Sequence, residues 1–546
     1  MSVRHFIIWV LLGFATVAKA QKAAPVGDTV LKGATIEVIQ SYKPQVKQVP
    51  KPDWVPQLPA NDTARPSFKY DVPQQTLYFT YSSMPLRPLA LGLDSGKVPF
   101  QNYLKVGGGN LSTLYVDAGI GSLCGKNYET AFHLHDISQQ GNIKYQQTSL
   151  SGLEADGTLH RQTNDWHASI DAERNQYYYY AYPDNESRDT LKQTYTTVRA
   201  TVDMKNKDSV YSKLNYHPAL SASLYDARFG TSETNIGFNA PFTYDVDSTL
   251  QARIALVGAL THLTTNEQSV NNNYIELLPG FNIHRDQFIG HALLGLAAGA
   301  GGNGYILPDI YGALPIKNTS LLVSAGWQAT LIQNTYEQLT TINPYLLNNY
   351  MVQQTRKDEV FVNVQGSAGA HLSFSGRLGW DAYNDLPTFL NFYRTQFNGT
   401  ADEKRFYVVY QQVRAIALQL AARYQVANTW SVGIKGDFYD FYQSTQKQVW
   451  EQPDMKIKGD FTILPLPKLT VTAYLAMMGG IYAENAFGNA EKLKAATDIG
   501  GNAEYQIIPR LSAFVQVSNL LNDKYQRWLG YEAYGLNIYG GLRLKF

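Results

Sequence analysis

His133 and His135 stand two residues apart in Glu129-Thr130-Ala131-Phe132-His133-Leu134-His135-Asp136. On a β-strand that spacing projects both imidazoles from one face and puts Phe132 and Leu134 on the other. Such a pair could ligate a metal ion, but a site needs a third ligand and the sequence fixes none. The pair therefore reads as part of a polar strand face. Gly295 to Gly304 is glycine-rich but lacks the Lys-Ser/Thr of a phosphate loop, which leaves close strand packing or a loop. The run Tyr177-Tyr178-Tyr179-Tyr180, with Tyr182, offers an aromatic stacking platform for sugars or, as the favoured reading, rings at a membrane interface. Asp381 and Asp385 are uninformative as a pair, and no Gly-x-Ser-x-Gly nucleophile elbow is present. Cys124 is the only cysteine and reads as a small apolar filler. No catalytic residue, metal or cofactor is assigned, and an enzyme is not expected.

The elements that carry these residues show period-two alternation from about residue 101 onward. In Trp430-Ser431-Val432-Gly433-Ile434-Lys435-Gly436-Asp437-Phe438 one face holds Trp, Val, Ile, Gly and Phe, and the other Ser, Gly, Lys and Asp. The same split recurs from Leu250 to Leu260, from Leu469 to Met477 and from Leu511 to Ser518. These are strands with one apolar and one polar face. Two segments are ambiguous by period, His291 to Ala300 and Ile416 to Leu420; both read as strands from context. Short connections such as 426–429, 464–467 and 508–510 alternate with long polar ones at 264–273, 335–358, 384–404, 479–497 and 519–534. Tight turns on one side and long loops on the other predict an all-β, antiparallel, up-and-down transmembrane β-barrel of about 22 strands with long extracellular loops. The chain ends Leu542-Arg543-Leu544-Lys545-Phe546, an amphipathic strand closing on an aromatic residue, as outer-membrane barrels present to their assembly machinery.

Composition agrees. The 546 residues include 46 Lys+Arg and 45 Asp+Glu, so no basic footprint for nucleic acid exists. Charged residues are 17% and mean hydropathy is -0.26, too polar for a bundle of apolar helices and poor in charge for a soluble domain. Residues 1–20 read as a cleaved secretory signal: Arg4 and His5 precede an apolar run from Phe6 to Val17, and Ala18-Lys19-Ala20 supplies small residues at the cleavage site. Residues 21–100 hold 11 of the 23 prolines and read as an extended, proline-rich N-terminal arm. Residues 101–546 form the barrel.

The segment Ser518-Asn519-Leu520-Leu521-Asn522-Asp523-Lys524-Tyr525-Gln526-Arg527-Trp528, followed by Gly530-Tyr531 and Gly541-Leu542 to Phe546, resembles the last two strands of TonB-dependent receptor barrels. Tyr103 to Asn110 and Leu307-Pro308-Asp309-Ile310 resemble short Bacteroidota relatives of that family. The resemblance implies an outer-membrane location and a role in transport, with lipid around the barrel. The Asn-x-Ser/Thr matches at Asn110 and Asn398 carry no message in such a membrane. The family's receptors carry a plug domain of well over a hundred residues and an energy-coupling box; here no plug is recognisable. Thr35-Ile36-Glu37-Val38-Ile39 has the size and alternation of a coupling box, as an ordinary packed segment also would, so TonB coupling stays open. A wide lumen without a plug implies closure by the arm, by long loops folding in, or by an envelope partner protein. The alternative to transport is a structural or assembly component of an envelope complex.

Overall fold

The computed structural model describes residues 102–546 except 126, 181–186, 208–212, 286, 348–351, 392–404, 427–428 and 486. The signal segment, the arm, Thr35 to Ile39, Tyr182, Asn398 and the Cys124 side chain lie outside the described parts.

The alternating runs pair, each with its neighbour, into one antiparallel sheet of 24 strands. Two of these, Leu214–Tyr216 and Ser269–Asn271, are three-residue additions in connections. The other 22 close on themselves, because Tyr103–Gly109 pairs with Asn537–Lys545 in a register running from Tyr103↔Lys545 to Gly109↔Tyr539. Closure removes both sheet edges, so every strand finds its backbone partners within the ring. Asn110 fastens this seam: its Nδ2 donates to the Leu536 carbonyl at 2.7 Å, and its Oδ1 accepts from the Ile538 amide at 2.7 Å. At the other end the Phe546 amide donates to the Asn102 carbonyl at 3.0 Å.

Side chains alternate as the pleat requires. Leu104, Val106, Phe132, Leu134, Trp166, Ile170, Ile254, Ile306, Trp327, Val360, Trp380, Leu542 and Leu544 stand exposed on the outside, the apolar belt of a transmembrane-type barrel. Lys105, Asp117, His133, His135, Lys357, Glu359 and Arg543 take the opposite face and line the lumen. Ile416 to Leu420 falls wholly on the strand Phe406–Val426, whereas His291 to Ala300 is strand only as far as Ala298, the end of Phe288–Ala298, and Ala300 already opens a 3-10 turn. The glycine-rich segment does both things expected of it: Gly295 packs closely, while Gly301 and Gly302 turn at φ of 71° and 79°.

Two expected loops are shorter than the sequence implied. Strands Gln354–Ala368 and Leu372–Asn391 include residues 354–358 and 384–391. Arg356 and Asp358 share the outer face with Val360 and pair with each other at 2.7 Å, so the wall here rises above the apolar belt. The backbone ladder continues although the apolar half of the alternation stops. A bulge between Tyr383 and Leu386 bends this tall wall, with Asp385 at φ 61°.

One rim, where Asn102 and Phe546 lie, has turns as short as 467–468 and 509–510. The opposite rim is where Gln333, Asn391, Ser444, Gly479 and Ser518 end their strands and the longer connections begin.

Candidate functional site

The insertion that follows Gln333 opens on the helix Tyr336–Ile342. Thr335 caps it in a capping box with Gln338. Two further amides of its first turn, those of Tyr336 and Glu337, donate to the buried Glu233 carboxylate at 2.7 and 3.2 Å. Glu233 sits on the eighth barrel strand, Thr231–Asp245. Glu337 in turn accepts from Arg199 and from the Ser223 hydroxyl, and Tyr225 and Thr340 share a hydroxyl bond of 2.5 Å. The helix is thus fixed to the inner wall of strands six to eight.

The chain after the helix keeps to that wall as far as Pro344 and then leaves it. Tyr195 donates to the Pro344 carbonyl at 2.9 Å. Two residues further, Leu346 forms a parallel bridge to Phe406, with the Leu347 amide on the Phe406 carbonyl at 2.8 Å and the Phe406 amide on the Tyr345 carbonyl at 3.0 Å. Tyr179 donates to the Leu346 carbonyl at 3.1 Å. Phe406 opens the sixteenth strand, and Tyr179 directly follows the fifth, Asn164–Tyr178. In a closed ring of 22 these are opposite walls. The segment 336–347 is therefore a chord across the mouth.

A second insertion, 519–536, packs onto the chord. Tyr345 and Tyr531 stack, Tyr180 meets Tyr531 edge-on with centroids 5.0 Å apart, and Trp528 packs edge-on against Phe389 and Phe406. Tyr180 and Gln146 both donate to the Glu532 carbonyl, at 2.5 and 2.8 Å. Tyr336, Phe389, Phe406 and Leu346 have no exposed surface. Each such side chain contributes about 1.5–3 kcal/mol by burial, which orders loops that polar sequence alone would leave in water. Tyr179 and Tyr180 belong to this cluster, so the interfacial reading of the tyrosine run is corrected for them. The strand ends at Tyr178 and the chain turns inward, so two consecutive rings are buried where a pleat would have buried one.

Beneath the second insertion lies a cavity of about 330 Å³. Tyr180, Tyr345, Tyr525, Trp528, Tyr534 and Arg527 contribute to its lining. Aromatic faces with one guanidinium suit a flat or hydrogen-bonding solute. Arg527 lies over the Trp528 ring at 3.9 Å and donates to the Glu451 carbonyl at 3.0 Å. Burial pushes the Glu451 carboxyl up to about 8, the Arg527 guanidinium 3.9 Å away opposing the shift. Burial also lowers Arg527, to about 10, against the pull of Glu451.

Lower in the barrel, His133 and His135 point inward from the third strand, Tyr128–Gln140, and their rings lie 5.4 Å apart. Register places Glu154 of the fourth strand, Gln147–His160, opposite His133. Asp381 pairs with Lys357 at 3.1 Å in a network that includes Glu359 and Arg377. Asp385 takes no part: the bulge holds it, and its carbonyl accepts from Thr355. The sequence reading missed Glu154, Glu233, Asn110 and the Tyr345–Tyr531 pair, all of which act across strand register or between loops.

No protein-family model and no curated protein matches the sequence. Solved structures do match in fold. The FrpB iron transporter from Neisseria meningitidis aligns at TM-score 0.63 and 12% identity, over 82% of this chain and 81% of that one. The siderophore receptor PirA from Acinetobacter baumannii aligns at 0.61 and 9%, over 82% and 80%. The ferric yersiniabactin uptake receptor FyuA from Yersinia pestis aligns at 0.59 and 10%, over 82% and 80%. This chain, a closed barrel of 22 strands, shares its fold with these structures.

Proposed function

We propose that this chain is a receptor-like barrel of the Gram-negative outer membrane that acts in transport, with its own loops closing the outer mouth. The observation that carries the reading is the chord from Glu233 to Phe406. A purely structural cylinder has no use for a buried aromatic closure tied to opposite walls, whereas a transporter needs a mouth that is shut at rest and carries a recognition surface. The loop-bearing rim faces the surroundings and the rim with Asn102 and Phe546 faces the periplasm, where Phe546 meets the assembly machinery. Iron transport and siderophore uptake are named for the fold's neighbours and lend support to a nutrient cargo. TonB engagement through Thr35 to Ile39 belongs to the same proposal. The signal segment, the arm and the absence of a plug form its sequence side.

Deleting the gene tests this. Loss of uptake of one solute class, restored by the intact gene, supports transport. Unchanged uptake with an altered set of surface proteins replaces it with the structural-component reading.

A further inference from the structure

The lumen wall between the second and fifth strands carries an arrangement that transport through the mouth does not explain. One donor atom each from His133, His135 and Glu154 lies within 4.8 Å of the other two, the only such trio of His, Cys or acidic groups among the described residues. His133 turns its two nitrogens to different partners. Nδ1 faces Glu154 Oε2 at 3.5 Å, and Nε2 faces Asp117 Oδ1 at 3.4 Å. Asp117 also accepts from the Tyr115 hydroxyl at 3.0 Å, which fixes the carboxylate. The Asp117 carboxylate thus stands behind Nε2 at ion-pair distance while Nδ1 turns to Glu154, the placement in which outer-shell carboxylates back metal-binding histidines.

His135 is positioned by a gap in the facing strand. A Cβ built on Gly152 would come 2.2 Å from its Cε1, so the imidazole lies over bare backbone there. Asp171 faces Glu154 in register on the fifth strand and is itself paired with Arg199 at 3.3 Å, while Glu173, facing Gly152, adds a carboxylate beside the trio.

We propose that His133, His135 and Glu154 bind one divalent transition cation of the zinc class on the lumen wall. Two imidazoles and one carboxylate match Zn²⁺, Co²⁺ or Ni²⁺; an all-oxygen set would suit Ca²⁺ or Mg²⁺ instead. Bond lengths of about 2.0–2.2 Å put tetrahedral ligands about 3.3–3.6 Å apart, so each donor needs to move by roughly 1 Å or less. Three protein ligands leave a fourth position open to water or to a group on a passing solute. The proposal stands on wall geometry and not on the transport reading. A barrel that binds the cation yet carries nothing would overturn transport and leave the site standing.

The test is Co²⁺ titration of the purified full chain in detergent, free of any histidine tag, with folding checked by heat-dependent gel mobility. The expected result is one Co²⁺ per chain with the visible absorption of low-coordinate cobalt, displaced by Zn²⁺. His133→Ala and the isosteric Glu154→Gln should each weaken binding about tenfold or more, as should Gly152→Ala by displacing His135. His167→Ala should leave affinity unchanged, since His167 is engaged with Asp203 at 3.0 Å on a different part of the wall. Folded wild-type chain that shows no saturable absorption, or a folded Glu154→Gln variant that binds as tightly as wild type, overturns the site.

Discussion

The rings of Tyr345 and Tyr531 lie 3.6 Å apart and 9° from parallel, although the two residues belong to different insertions. Their stack joins the chord across the mouth to the loop that covers it, so the closure is a single packed unit. An aromatic pair contributes about 0.5–1.5 kcal/mol beyond area burial. A double-mutant cycle with Tyr345→Leu and Tyr531→Leu should return coupling of that size, read from hydrogen exchange of the amides between 526 and 532. Additive single effects would remove the stack from the closure.

Glu233 holds the helix that starts the chord. Burial raises the Glu233 carboxyl to about 7, so Glu233→Ala removes from the Tyr336 and Glu337 amides an acceptor that contributes about 0.5–1.5 kcal/mol per bond. Exchange across 336–342 should accelerate accordingly while the barrel's heat-dependent gel mobility stays as it was. Unchanged exchange in that helix would contradict the anchoring role.

Glu451 gives the closure a pH dependence. Its carboxyl is raised to about 8 in the docked loop, above the ordinary carboxylate range, so the docked state holds the proton more tightly than an undocked one. Docking is then favoured at low pH and weakens as pH rises from the carboxylate range through about 8. Protease cleavage within 519–536 should be slower at pH 6 than at pH 9, and Glu451→Gln should flatten that difference.

Asn110 spans the seam between the first and last strands with two side-chain bonds. Asn110→Ala should lower seam stability by about 1–2 kcal/mol, seen as an earlier midpoint in heat-dependent gel mobility. The backbone ladder from Tyr103↔Lys545 to Gly109↔Tyr539 keeps the register, and the Thr113 hydroxyl adds a bond to Asn537 at 3.1 Å beside it.

The wall was legible in the sequence because lipid and water impose opposite demands on alternate residues. That rule set the strand count, the closing strand at Phe546 and the inward face of His133 and His135. It stopped being legible at Arg356 and Asp358, where the wall leaves the lipid and its outer face turns charged. The mouth was not legible for a related reason. Tyr179, Tyr180, Tyr345 and Tyr531 lie in segments without a period, and what buries them comes from strands and loops far away in the chain. Glu154 escaped notice because its partnership with His133 is a product of register, which spacing along one strand does not contain.

Closure of the mouth by the chain's own loops is read out by single-channel conductance in planar bilayers. Full-length protein is compared with a variant whose residues 336–346 are replaced by a Gly/Ser segment of equal length, each with and without residues 21–100. Conductance that stays small when the arm alone is removed, and becomes large in the armless barrel once 336–346 is replaced, is the predicted result. A wide pore on removal of the arm alone, unchanged by replacing 336–346, would make the arm and not the loops the closure.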